Sequence, residues 1–215
     1  PRSTPLYSSA ASDVYKRQVR YLSKKKYEVF ATSRSNGVQF SNVEWDLFDL
    51  CDFTLLNKWL QKIKPDVVIH CAAIVNVDAC EKNIGLAMKT HVESTKVIAS
   101  YLASNRGRMI YISTDSVFDG KNQGAYTEKC LTNPLNVYSK TKLLGEKPVK
   151  SMGNGVVLRV NIIGGTKDGS SSFAEWLLAG LVNKTPLNLF HDVYFSPLHV
   201  IDLSVIIGEI IDKPI

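Results

Sequence analysis

Tyr138 and Lys142, in the run VYSKTK, are four residues apart, a spacing that on a helix puts a phenol and an ammonium on one face. A phenol ordinarily titrates at about 10, and a cation held beside it favours the phenolate. Such a tyrosine can exchange a proton near neutral pH as general acid or base, which is what reduction of a ketone requires at the oxygen. The pattern YxxxK by itself is common on helix surfaces, so its meaning depends on what surrounds it. Upstream, the run Met109–Ser113 leads into Thr114, which puts a hydroxyl at the end of a predicted strand, where it could hold a carbonyl oxygen. Taken alone, Thr114 reads equally well as a strand-end hydroxyl closing a turn.

The elements that must position these groups follow from hydrophobic periodicity. Short apolar or β-branched runs at Glu28–Ser33, Val43–Asp46, Asp66–Cys71, Met109–Ser113 and Gly155–Val160 alternate with longer helical patterns. Most of these runs are apolar on both faces, as buried parallel strands must be. Phe53–Ile63 repeats Leu55, Leu56, Leu60 and Ile63 at helical spacing, and Leu86–Leu102 does the same through Val92, Val97, Ile98 and Leu102. Asp78 followed by Glu81 has the form of a capping box, so these carboxylates are expected to start a helix rather than do chemistry. Gly164 and Gly165 mark the exit from the last strand. A helix over Phe173–Val182, a short strand over Leu187–Phe190 and a helix over Asp202–Ile211 follow. The predicted fold is α/β, a doubly wound parallel sheet of Rossmann type with part of a small C-terminal substrate lobe. Open sheets of this kind bind ligands at the carboxyl ends of their strands.

The opening of the chain departs from this pattern. Such a sheet ordinarily starts with a strand and a glycine-rich turn that cradles phosphates, and no glycine precedes Gly37. Residues 1–18, PRSTPLYSSAASDVYKRQ, resemble a translated sequencing-adapter sequence, and are expected to be a foreign leader. The expected division is therefore 1–18 leader, 19–163 dinucleotide-binding domain lacking its first strand and glycine loop, and 164–215 partial substrate-binding region. Without that strand, Glu28–Ser33 and Asp66–Cys71 would gain bare edges. An improvised strand near Leu6–Ser9 would be weak, because of Pro5 and the Ser, Ala run. Dinucleotide binding by this chain should be poor.

Composition limits the alternatives. At 215 residues and 45% hydrophobic, the chain can bury one substantial core. It has no run of roughly 18 apolar residues and no signal-peptide pattern, so a cytoplasmic protein is expected. Cys51, Cys71, Cys80 and Cys130 show no CxxC spacing and are expected to be reduced thiols with no bound metal. Of the formal charge of +6, residues 1–18 carry +2 and the remainder is scattered. Lys24–Lys26 falls at a predicted helix end, and no basic patch interleaved with aromatics points to nucleic acid.

HCAAIVNVDACE, YISTDSVFDG and PLNVYSKTKLLGE, in that order and spacing, resemble the signatures of the dTDP-4-dehydrorhamnose reductase family of extended short-chain dehydrogenases. The resemblance runs from about Val19 to the C-terminus, with Tyr126, Glu128 and Pro134 also in family-like places. It implies a catalytic triad of Thr114, Tyr138 and Lys142, with Lys142 also holding the nicotinamide ribose. It further implies adenine against Asp46 and Leu47, a cofactor path along Cys71, Ala72 and Ala73, and nicotinamide near Val160, Asn161 and Ile162. At the end of the second strand stand Ser33 and Arg34, where NAD enzymes carry an acid. A guanidinium there favours NADP over NAD, although it also reads as a solvated arginine. The implied substrate is a nucleotide-activated sugar bearing a keto group, and a homodimer is the candidate assembly. FHDVYFSPLHVIDLSVIIGEII resembles the stretch in which the family's chain returns from the substrate lobe to the sheet.

Two positions depart from the family pattern: Ser116 stands where a tyrosine is common, and His91 where many relatives have an asparagine. A lone histidine on a packed helix is ordinarily a hydrogen-bonded core residue, so His91 is left out of the mechanism. Two other functions fit similar motifs. One is a regulatory subunit resembling the methionine adenosyltransferase beta subunit, which would bind a partner. The other is a sugar-nucleotide dehydratase or epimerase; a dehydratase typically has an Asp, Glu pair after the threonine, and here the pair is Asp115 and Ser116.

Overall fold

The computed structural model describes residues 2–6, 12–34, 40, 42–122, 125–163 and 173–213. Among these, seven parallel strands form one sheet: β1 (Arg2–Leu6), β2 (Glu28–Ser33), β3 (Val43–Leu47), β4 (Val67–His70), β5 (Arg108–Thr114), β6 (Val156–Ile163) and β7 (Pro197–His199). Their spatial order is β3-β2-β1-β4-β5-β6-β7, so the chain winds outward one way from β1 and then the other way from β4. The carboxyl ends share one edge, with Leu6 opposite both Thr32 and His70, Ser33 opposite Leu47, and Thr114 opposite Val160.

Both faces of the sheet are covered. On one face α2 (Phe53–Ile63), α5 (Ser94–Ser104) and α6 (Val137–Lys150) pack Leu56, Leu60, Ile98, Leu102 and Val149 against Val68, Met109 and Tyr111. On the other, α1 (Ser12–Leu22) and α8 (Val200–Asp212) pack Val19, Leu22, Leu203 and Ile207 against Val67, Ile69, Ile110 and Ile112. Neighbouring residues of one strand thus serve opposite cores, which is why the strands are apolar throughout.

The central slot is filled, contrary to the expectation that this sheet lacks its first strand. Arg2–Leu6 lies between β2 and β4, earlier than the weak candidate at Leu6–Ser9. Two buried strands with unmatched N–H and C=O groups create a strong demand for a partner backbone, and this outweighs Pro5, which faces Ile69 without an N–H to give. The turn that follows, 7–11, lies outside the described residues, as do Gly164 and Gly165. The helix α1 runs through the expected boundary at residue 18, and Gln18 is buried, its amide oxygen 3.4 Å from the Cys71 thiol.

The C-terminal part differs as well. Leu187–Phe190 forms no strand, and Leu189 and Phe190 are exposed; the outer edge of β6 is paired by Pro197–His199 instead. A four-residue apolar run becomes a strand only where a ladder partner reaches it. α8 then returns to the sheet and joins the layer covering β2, β4 and β5. Arg108 fastens it there, donating to the carbonyls of Ile210 and Lys213 at 2.7 and 2.8 Å.

The predicted helix Leu86–Leu102 is present but interrupted. α4 (Ile84–Met88) passes through a π-helical turn, Lys89–Glu93, before continuing as α5, and the turn buries Thr90, His91 and Val92. The capping box expected of Asp78 and Glu81 does not form. Asn76 caps α3 (Val77–Lys82) by accepting from the Ala79 amide, and Glu81 reaches a different helix. Among the described residues no helix is long and apolar enough to cross a membrane, and no three His, Cys, Asp or Glu side chains are placed to hold a metal ion.

Candidate active site

Strand β5 delivers Thr114 to the carboxyl edge, and a single 3₁₀ turn, Asp115–Val117, follows it. The buried Thr114 hydroxyl closes that turn by accepting from the Ser116 amide at 3.2 Å, and it is also a hydrogen-bond partner of the Tyr138 phenol. The reading of Thr114 as a strand-end hydroxyl closing a turn is therefore realised. α6 starts at Val137, capped by Asn136 in a reciprocal capping box with Ser139. Glu81 adds a second cap across space, accepting the Val137 amide at 2.8 Å. These caps satisfy N–H groups that a helix end otherwise leaves unpaired, and they fix the turn that carries Tyr138.

One turn on, Lys142 is buried. Its Nζ donates to the Ile112 carbonyl at 2.6 Å and lies 4.1 Å from the centroid of the Tyr111 ring. Burial pulls this amine down to about 7, with Cys71 and Glu146 pulling the other way. Burial also pushes the Tyr138 phenol up to about 12, helped by Asp115 and opposed by the Thr114 hydroxyl. This reverses the expectation that Lys142 depresses the phenol. The ammonium is turned to the Ile112 carbonyl and the Tyr111 face, and desolvation of the phenol dominates.

The same face of α6 continues to Glu146 and Lys150, giving the series Tyr138, Lys142, Glu146, Lys150 at four-residue intervals. The Glu146 carboxylate is fully buried, yet it accepts from Ser113 Oγ at 2.7 Å, from Lys150 Nζ at 2.7 Å, and from Arg159 Nε and Nη2 at 2.9 and 2.7 Å. Burial pushes this carboxyl up, but Arg159, Lys150 and Ser113 together hold it below the ordinary value. The network binds α6 to β5 and β6 directly beneath Thr114 and Lys142.

The predicted cofactor residues line up along the carboxyl edge. Arg34, Ala72 and Ile74 line a depression with Asp49, Leu50, Cys51 and Thr90, beside the point where the strand order reverses. Ser33, at the end of β2, is buried and accepts from the Trp45 indole at 2.9 Å. Asp46 is engaged by the Trp59 indole at 2.7 Å and by Lys62 at 3.6 Å, while Leu47 is half exposed. Cys71 and Ala73 are buried at the exit of β4. At the other end, Asn161 Nδ2 donates to the Asp115 carboxylate at 3.1 Å, and Val160 packs beneath with Ile112. Ile162 lies in β6, with its side chain outside the described set. Thr114 and Tyr138 thus stand side by side where β5 meets α6, Lys142 is buried one turn on, and Asp46 and Leu47 lie apart from them at the end of β3.

Sequence reasoning missed Glu146, Arg159 and Tyr111, as well as Glu81 in its role as a cap. For Glu146 a signal existed, since it continues the four-residue series from Lys142. For Arg159 and Glu81 there was none, because their partners are 13 and 56 residues away.

The family model for the RmlD substrate binding domain matches residues 14–215. The chain belongs to that family. RmlD-type proteins of the extended short-chain dehydrogenase class include dTDP-4-dehydrorhamnose reductases, and two of these are similar in structure. One, from Clostridium acetobutylicum, is 30% identical with a TM-score of 0.81, covering 97% of this chain and 70% of that one. A hypothetical dTDP-4-dehydrorhamnose reductase from Sulfolobus tokodaii is 28% identical with a TM-score of 0.85, covering 99% of this chain and 72% of that one. Methionine adenosyltransferase 2 subunit beta of Xenopus laevis is 33% identical over 183 residues, 83% of this chain and 54% of that protein. This chain spans about half the length of the curated relatives it matches. Membership in the RmlD family bears out the resemblance and the doubly wound fold.

Proposed function

We propose that the protein reduces a keto group on a nucleotide-activated sugar, using NADPH as hydride donor. The observation that carries this reading is the Thr114 hydroxyl standing beside the Tyr138 phenol where β5 meets α6, with the buried Lys142 one helical turn on. The depression beside Arg34 and Ala72 suits a dinucleotide, with small side chains allowing close approach and a cation at its rim for a 2′-phosphate. Bound there, the dinucleotide supplies a hydride to the carbonyl carbon.

The chain's own residues handle the oxygen. Thr114 orients the carbonyl, and Tyr138, protonated across the physiological range, gives its proton to the oxygen as the alkoxide forms. Lys142, carrying its charge in part near neutrality, would hold the ribose of the cofactor. Asp115 is tied to Asn161 and is followed by Ser116, so the second carboxylate that elimination would use is missing from that pair. This favours reduction over dehydration.

The test is NADPH oxidation with a dTDP-4-keto-6-deoxy sugar, run at millimolar cofactor because the sequence YSSAA at 7–11 has no glycine to cradle phosphates. Turnover is expected, and Tyr138→Phe should lower it by about 10² while leaving cofactor affinity nearly intact. Equal turnover in both proteins would sink the triad assignment.

A second reading has its own support in the methionine adenosyltransferase 2 subunit beta, which is 33% identical. Under it the same fold serves as a regulatory subunit. Stable co-purification with a methionine adenosyltransferase catalytic subunit, together with no NADPH oxidation, would replace the reductase reading by this one.

A further inference from the structure

Among the buried groups that the reductase reading leaves unused, His91 makes the most informative contacts. It sits in the π-helical turn between α4 and α5, fully buried. The Ile74 amide donates to its Nε2 at 2.9 Å, and its Nδ1 is 2.7 Å from Thr141 Oγ1. A backbone amide can only donate, so Nε2 is unprotonated and Nδ1 carries the hydrogen. The Thr141 hydroxyl therefore accepts from His91 and is left to donate to the carbonyls of Val137 and Tyr138, at 2.8 and 3.0 Å. The bonds run in one direction, from Ile74 through the imidazole and the threonine into the first turn of α6. The imidazole also meets the Tyr138 ring in a T-shaped contact, centroids 5.8 Å apart. Burial drops this imidazole to about 3, with Lys142 adding to the effect, so the neutral form the contacts require persists across the working range.

We propose that His91 is a positioning residue that latches the wall of the dinucleotide depression, at Ile74, to the turn of α6 that presents Tyr138. Ile74 lines that depression with Ala72, so the latch sets where the phenol stands relative to the cofactor path. An asparagine at this position would end one bond nearer the backbone than Nε2 and could not meet both partners in the same way. The kinetic part of the proposal rests on the reductase reading; the structural part does not.

The decisive pair is Thr141→Val and Thr141→Ser. Valine keeps the shape and removes the hydroxyl, whereas serine keeps the hydroxyl. Thr141→Val should lower kcat about 10-fold through misplacement of the phenol, with KM for NADPH within about twofold of the parent, and Thr141→Ser should restore kcat. Amide hydrogen exchange provides a readout independent of turnover. In His91→Ala, or in His91→Asn if the alanine variant does not fold, exchange at Ile74 should accelerate by roughly tenfold, the worth of one lost hydrogen bond. Parental kcat in Thr141→Val, or unchanged exchange at Ile74 in the His91 variant, would overturn the latch. If no keto sugar is reduced by the parent protein, the function proposal fails, and the exchange result alone decides on His91.

Discussion

Lys142 Nζ donates to the carbonyl of Ile112 at 2.6 Å, and this one bond ties the helix that bears Tyr138 to the strand that ends in Thr114. It also accounts for the amine's surroundings, since reaching Ile112 requires the side chain to run inward beside Tyr111, away from water.

A pH dependence follows. Lys142 titrates at about 7, so its charge is present below that pH and lost above it. Tyr138, at about 12, stays protonated throughout and imposes no limb of its own in this range. If the charge holds the cofactor ribose as proposed, kcat/KM for reduction should fall as pH rises through about 7. Lys142→Arg, whose guanidinium does not titrate here, should lose that limb. Stability moves oppositely: the unfolded chain holds the lysine proton up to 10.5, so between about 7 and 10.5 it binds more protons than the folded state, and Lys142's contribution improves as pH rises. Urea midpoints of the parent, measured against Lys142→Met, should shift in the parent's favour over that window.

Gly145→Ala sets two effects against each other. Helix propensity alone favours alanine by about 1 kcal/mol. A Cβ there, however, would overlap the His91 carbonyl and the Tyr111 hydroxyl, both held in the buried layer between α6 and the π-helical turn. Overpacking should win, giving a net loss of about 1–3 kcal/mol in chemical denaturation. A more stable variant would mean that α6 can move off the π-helical turn.

Glu146→Ala should be more damaging than its distance from the reacting atoms suggests. It strips Arg159 of a bidentate partner and Ser113 and Lys150 of their acceptor, leaving a largely buried guanidinium uncompensated. A loss of about 3–5 kcal/mol in unfolding free energy is expected, and a smaller one for Glu146→Gln. A loss below about 1 kcal/mol would show that water enters and replaces the carboxylate.

Arg34→Ala should weaken NADPH much more than NADH, because the former alone has the 2′-phosphate a guanidinium could grip. The check is parallel titration of both cofactors. Equal losses would return Arg34 to the role of a surface residue beside Cys51.

The amino-acid sequence alone was enough to determine the alternation of strands and helices from Glu28 onward and to single out Thr114, Tyr138 and Lys142, because these rest on local patterns: two-faced apolar runs, the four-residue step from Tyr138 to Lys142, a hydroxyl at a strand end. Even the exit of β5 at Thr114 was legible from the polar residues that follow it. What depends on partners far along the chain was decided only in three dimensions. Pro5 and its neighbours look like a poor strand until β2 and β4 offer two unmatched ladders. Glu81 looks like half of a capping box until Val137 arrives with an unpaired amide. Leu187–Phe190 has the composition of a strand but no edge to join, whereas Pro197–His199 reaches one. The sign of the Tyr138 shift belongs to the same class, because spacing places a lysine one turn away but only the fold determines that its amine turns to Ile112 and that the phenol is buried. His91 was read as a packed core residue, and it is one; that its two ring nitrogens join the segment after β4 to α6 required Ile74 and Thr141, 17 and 50 residues away, to be brought to it.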